Sequence, residues 1–137
     1  MTAKFDNEFQ KEFQTIDAFF EKTSDSAIVL HRWIIKKANQ QFATQLNYKA
    51  NEIENKNFID FIGPSGIESI EKHYLDQLKG VESSMYRTVF LSKDGKEIPA
   101  TVSTTIGNID GERVEMILIT KWFTSIFFII FCGCQLK

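Results

Sequence analysis

From Ser84 to Thr120 the chain reads SMYRTVFLSKDGKEIPATVSTTIGNIDGERVEMILIT, a stretch in which side-chain character alternates with a period of two. That period belongs to extended chain, whose successive side chains point to opposite faces. It is interrupted at Lys93-Asp94-Gly95-Lys96 and again at Asn108-Ile109-Asp110-Gly111. Asp-Gly pairs mark tight hairpins because the turn demands positive φ, which glycine accepts without a Cβ clash. Three antiparallel strands are therefore predicted, at 84–91, 97–106 and 113–120.

Working outward, Ile67, Ile70, Tyr74 and Leu78, with Leu75, keep a helical period from Pro64 to Gly80 and predict a helix of about four turns. Between Ala38 and Gly63 the apolar residues Phe42, Leu46, Ile53, Phe58, Phe61 and Ile62 are punctuated by Asn47-Tyr48, Asn51 and Gly63-Pro64, which suits several short helices. Ala27-Ile-Val-Leu30 and Trp33-Ile-Ile35 read as two short strands around His31-Arg32. At the N-terminus Phe5, Phe9, Phe13, Ile16 and Phe20 fall on one stripe of an amphipathic helix. The order is helix, two strands, short helices, one longer helix, three strands. It predicts an α+β fold: a five-stranded antiparallel sheet with helices over one face, plus an N-terminal amphipathic helix.

Composition narrows the function. At 137 residues the chain fits one domain, divided here as an N-terminal helix (1–20), a globular unit (21–120) and an apolar tail (121–137). Sixteen basic against eighteen acidic residues, with no basic run beyond Lys36-Lys37, give no electrostatic footprint for nucleic acid. The N-terminus is charged and lacks the apolar core of a secretory signal, so a cytoplasmic location is expected. Residues 122–134 are mostly apolar yet shorter than the ~20 needed to span a bilayer, leaving only weak contact with a membrane surface. Cys132 and Cys134 are too few and too close for a disulfide framework or a four-ligand zinc site. His31 and His73 are the only histidines, no phosphate-binding glycine loop or nucleophile elbow occurs, and Glu52, Glu54 and Asp60 read as solvated positions, so no enzyme activity is expected.

Five fragments in order carry a resemblance: Phe20-Glu-Lys-Thr-Ser-Asp-Ser-Ala-Ile-Val29, Ala38-Asn39-Gln-Gln-Phe42, Asn47-Tyr48-Lys-Ala-Asn-Glu52-Ile53, Asn57-Phe-Ile-Asp-Phe-Ile-Gly-Pro64 and Lys93-Asp94-Gly95. Together, over about residues 20–120, they resemble the PAS domain family, sensory modules found in bacterial and archaeal sensor proteins and two-component systems. The resemblance implies the five-stranded sheet gloved by helices, a strand-to-helix junction capped by Asn39 with Phe42 entering the core, and a pocket between sheet and helices. Its candidate lining is Ile28, Phe42, Phe58, Phe61, Tyr74, Leu78, Ala100, Val102 and Thr104, inward by alternation or helical stripe; a filled core is the competing reading of the same residues.

Cofactors are constrained residue by residue. A photoreceptor of the light-oxygen-voltage type needs a reactive cysteine where this chain has Phe58, which excludes covalent flavin chemistry. Haem-binding members ligate through a histidine of the long helix; matching that helix on Tyr74-Leu75 puts Glu71 at the ligand position, and His73, two residues on, points about 200° away. Haem is therefore not expected, His73 reads as an ordinary helix-edge histidine, and non-covalent flavin or a small metabolite is left open. The strand at 84–91 has apolar residues on both faces, so Val89 and Leu91, together with Phe5, Phe9, Phe13 and Ile16, are the candidate surface for a homodimer. The implied function is a sensor that binds a small ligand or a second copy and relays the signal to an output domain or protein. The alternative is a ligand-free, truncated module whose tail associates with a membrane surface or a partner; a frameshift or early stop in place of an output domain would leave such a tail.

Overall fold

The computed structural model describes Glu12–Phe13 and residues 15–123. β1 (Glu12–Phe13) is followed by α1 (Ile16–Glu21), β2 (Ser26–His31) and β3 (Ile34–Ala38). Two short helices, α2 (Gln40–Gln45) and α3 (Ala50–Ile53), and two 3₁₀ turns, Phe58–Phe61 and Pro64–Gly66, lead into α4 (Ile67–Leu78). β4 (Ser83–Leu91), β5 (Glu97–Ile109) and β6 (Glu112–Trp122) complete the chain order.

The five long strands form one antiparallel sheet in the order β3-β2-β6-β5-β4. The first two extended segments thus join the last three, as the sequence pattern requires. Both Asp-Gly turns form where expected: Gly95 has φ +88°, and Asp110 and Gly111 have φ +54° and +77°. The strands they connect run longer than the alternation alone indicated, and β6 continues through Lys121 and Trp122, two residues into the stretch read as tail.

Two layers cover the sheet because β2 is buried on both faces. Ile28 and Leu30 face the helical side with Phe42, Leu46, Ile53, Phe58, Phe61, Phe90, Val102 and Ile117, while Ala27 and Val29 face the opposite side. There α1 lays down Phe19, with Ile16 and Phe20 beside it, against Ile109, Val114 and Met116. Asn39 ties the layers together: its Oδ1 accepts from Ala27 N and Phe42 N, both at 3.0 Å, and its Nδ2 donates to Asp25 O at 2.9 Å. One buried amide thus caps α2 and fixes it to the start of β2.

Three expectations are corrected. The N-terminal helix is not continuous: at Glu12–Phe13 the chain is extended and pairs in parallel with Asn108 and Ile109, on the part of the β5 edge beyond the Ser83–Thr105 pair that ends β4. Helical periodicity on the Phe stripe loses there to a free sheet edge; Phe5 and Phe9 lie outside the described residues. Trp33 is not a strand residue. A two-residue hairpin needs positive φ at both central positions, and Arg32 (+52°) and Trp33 (+70°) supply it without a glycine. Val89, read as partner-facing, is 2% exposed. Its carbonyl accepts from Gly63 N at 2.7 Å, and the Pro64–Gly66 turn lies so close that a Cβ on Gly66 would come within 2.6 Å of Val89 N. Leu91 is half-buried.

Candidate functional site

The inner sheet face divides into two halves of opposite chemistry. In one, Phe42 meets Phe90 edge-on at 5.6 Å between centroids, Phe58 meets Phe90 at 6.1 Å, and Trp122 lies 5.3 Å from Phe90 and 6.2 Å from Phe42. Phe42, Phe58, Phe61, Ala100 and Val102, five of the residues expected to line a chamber, are all buried in this cluster. Interlocked rings occupy the space between helices and sheet, with Trp122 further held by a 3.1 Å hydrogen bond from Nε1 to Ser26 Oγ.

The other half is polar. Register places Ser84 opposite Thr104, and Thr104 opposite Ile117, while Ile106 pairs with Glu115. With Tyr86 two residues along β4, these side chains collect at one end of the inner face, and α4 lowers His73 onto them. His73 Nε2 donates to Glu115 Oε2 at 2.7 Å, with His73 4% and Glu115 8% exposed. Its Nδ1 lies 3.3 Å from Ser84 Oγ, itself 3.3 Å from Thr104 Oγ1. The imidazole stacks on the Tyr86 ring at 4.5 Å and 23°. The hydroxyl of Tyr86 is sealed from solvent and has no hydrogen-bond partner among the described residues. Burial first, and then the neighbouring Glu115 carboxylate, push the Tyr86 phenol up from its ordinary pKa, so it stays neutral.

This cluster was not visible as a site in the sequence. The helical stripe was drawn through the apolar residues Ile70, Tyr74 and Leu78, yet the buried row of α4 is Ile70 and His73. Tyr74 and Leu78, expected in the lining, are 44% and 66% exposed. The helix is turned so that a histidine takes the inward position, because Glu115 waits beneath it. Thr104 does face inward, as a member of the polar group. Glu115 gave one signal that could have been read: it is an acid at an inward strand position, where an acid needs a partner.

A cavity of about 330 Å³ opens at this end of the sheet. Glu115 forms part of its lining, the β2–β3 turn residues Arg32 and Trp33 a wall, and Gln77 of α4 and Arg113 of β6 its rim. Trp33 is braced from behind by Phe58 at 5.9 Å and Tyr74 at 5.8 Å. Among the described residues no group of three His, Cys, Asp or Glu side chains could hold a metal ion. Among them, too, no helix is long and apolar enough to cross a membrane.

Comparison with known proteins decides what kind of fold this is: the family model for the PAS domain matches residues 17–121. The chain belongs to the PAS family. PAS domains are typically sensory signalling modules. Solved PAS structures share the fold. The PAS domain of an HTR-like protein from Haloarcula marismortui is 23% identical, with a TM-score of 0.61 over 75% of this chain and 85% of that one. A PAS domain from a two-component sensor histidine kinase is 11% identical, TM-score 0.63, over 88% and 99%. A light-oxygen-voltage domain studied with a flavin analogue is 17% identical, TM-score 0.66, over 85% and 90%. None of the curated proteins compared matches the chain.

Proposed function

We propose that this PAS domain is a sensor in which a small colourless metabolite acts at the polar end of the inner sheet face and changes how α4 docks on the sheet. The observation that carries the proposal is the buried polar group joining α4 to three strands through His73, Ser84, Thr104 and Glu115. A packed apolar interface has one good arrangement; a hydrogen-bonded one at the edge of a cavity has two, bonded to itself or to a ligand. Because α4 touches the sheet here through hydrogen bonds and one ring stack rather than a cluster of interlocked rings, competition for Glu115 loosens the helix. The signal then passes to an output domain or partner protein, with a second copy of the chain as the proposed partner through the segment ahead of α1 and the half-buried Ile16.

Neither covalent flavin chemistry nor haem ligation fits this reading. Phe58, where covalent flavin chemistry needs a thiol, is 1% exposed within the aromatic half, and His73 is already bonded on both ring nitrogens' sides. Purification of the full chain followed by an absorption spectrum and native mass spectrometry tests the proposal. Expected are no visible band, a mass excess of metabolite size, and a dimer. A flavin or haem spectrum would reject the site, and a bare monomer untouched by any metabolite panel would reject the sensor.

A further inference from the structure

Resting on that reading, we infer that the cavity beside Trp33 takes a free α-amino acid with an apolar side chain, its ammonium group toward Glu115 and its carboxylate toward Arg32. Volume sets the size class: about 330 Å³ lies at the small end of ligand sites, which run from about 300 to 1,000 Å³. That is amino-acid space, not the space of a flavin or a haem.

Charge sets the two ends. Glu115 is 8% exposed and its carboxylate makes one hydrogen bond among the described residues, to His73 through Oε2. Oε1 takes no hydrogen bond from a described residue, yet it is not a sealed, unsatisfied atom of the kind Tyr86 presents. An acceptor of this sort, on a residue lining a cavity, calls for a cationic donor. In the same lining Arg32 forms no ion pair among the described residues, whereas Arg113 is held by Glu82 at 3.2 Å. The free guanidinium is therefore the one available to a carboxylate, in the bidentate manner that suits it. The rest of the lining includes the apolar residues Leu30, Ile106 and Trp33. A simple amine leaves Arg32 unused, and a simple acid leaves Glu115 unused and repelled.

Isothermal titration of the full chain with L-leucine, isoamylamine and isocaproate separates these cases. Leucine is expected to bind measurably tighter than its decarboxylated and deaminated relatives. Glu115→Gln is expected to weaken leucine about tenfold or more, the loss of a charge-assisted hydrogen bond, and Arg32→Ala about threefold, as befits an exposed pair. Circular dichroism checks folding of both variants. Arg32 is exposed and outside the core, so that variant and the isocaproate comparison decide the matter even if Glu115→Gln unfolds. No heat with leucine, equal binding of leucine and isocaproate, or affinity unchanged in the folded variants would overturn the assignment. A metabolite-sized adduct of other chemistry in native mass spectra would then leave the sensor reading standing, and its absence would remove both.

Discussion

The two halves of the inner sheet face are built from the same strands and roofed by consecutive helices, yet they solve opposite problems. The half around Phe42, Phe58, Phe90 and Trp122 is dry and interlocked. The half around His73, Tyr86, Thr104 and Glu115 keeps polar groups inside, one of them, the Tyr86 hydroxyl, without a hydrogen-bond partner among the described residues. Burying a hydrogen-bonded polar pair such as His73–Glu115 rarely improves stability over well-packed apolar residues, since desolvation offsets the gain. An orphaned hydroxyl is a net loss. The polar half therefore does not owe its character to stability, and it is the half beside a cavity. What the contrast teaches is a division of labour: the aromatic half holds the domain together, and the polar half is where it can be perturbed.

The largest effect that would break this comparison is in the aromatic half. Phe42→Ala removes a fully buried ring that packs against both Phe90 and Trp122 and is expected to destabilise by about 3–5 kcal/mol in urea denaturation. A loss below about 1 kcal/mol would mean that the half is loosely packed.

Next comes the polar half. Glu115→Ala strands His73 beneath α4 and is expected to cost about 3 kcal/mol, the low end of the range for a broken buried pair, since the cavity admits water. The double replacement His73→Phe with Glu115→Leu should recover most of that loss. If it stays as unstable as the single variant, the pair is structural and the contrast between the halves fails.

Smaller and of opposite sign, Tyr86→Phe deletes the sealed hydroxyl and is expected to stabilise by about 1 kcal/mol, read as a raised denaturation midpoint. Destabilisation would show that the hydroxyl has a partner.

The smallest effect lies outside both halves, in the β4–β5 loop. There Ser92 Oγ donates to the Asp94 carboxylate and, with Asn47 and Lys96 nearby, holds its pKa below the usual value. A depressed carboxylate stabilises the fold above the ordinary carboxylate range and ceases to do so as pH falls through its own lowered value. Protection of the 92–96 amides, their exchange measured against the intrinsic rate at each pH, should therefore fall on acidification in the wild-type protein. Asp94→Asn should already have low protection at neutral pH and show little further change in it. Equal acid sensitivity in both proteins would assign the effect to another group.

How much of this was legible depends on the kind of signal. The sheet could be read because alternation and Asp-Gly turns act locally: Gly95, Asp110 and Gly111 take the positive φ that the turns require. Asn39 could be read for the same reason, its side chain serving the backbone within three residues at Phe42. The β1 pairing could not, since it depends on which part of the β5 edge β4 leaves open, a fact of length rather than pattern. Val89 was misplaced because its cover comes from Gly66, whose small size admits a close approach that no periodicity announces. Above all, His73 was lost to the apolar neighbours Tyr74 and Leu78. A helical stripe drawn by hydrophobicity passes over a polar residue that is buried only because an acid 42 positions later, Glu115, lies under it.

Hydrogen–deuterium exchange through Ile67–Leu78 is the most direct test that the His73–Glu115 bond governs the docking of α4. In the wild-type protein α4 is expected to open at lower free energy than the central strands β5 and β6, and Glu115→Gln is expected to speed exchange in α4 while leaving Gln40–Gln45 and the β5–β6 pairing unchanged. Exchange in α4 that tracks global unfolding in both proteins, or that rises equally everywhere in the variant, would contradict it.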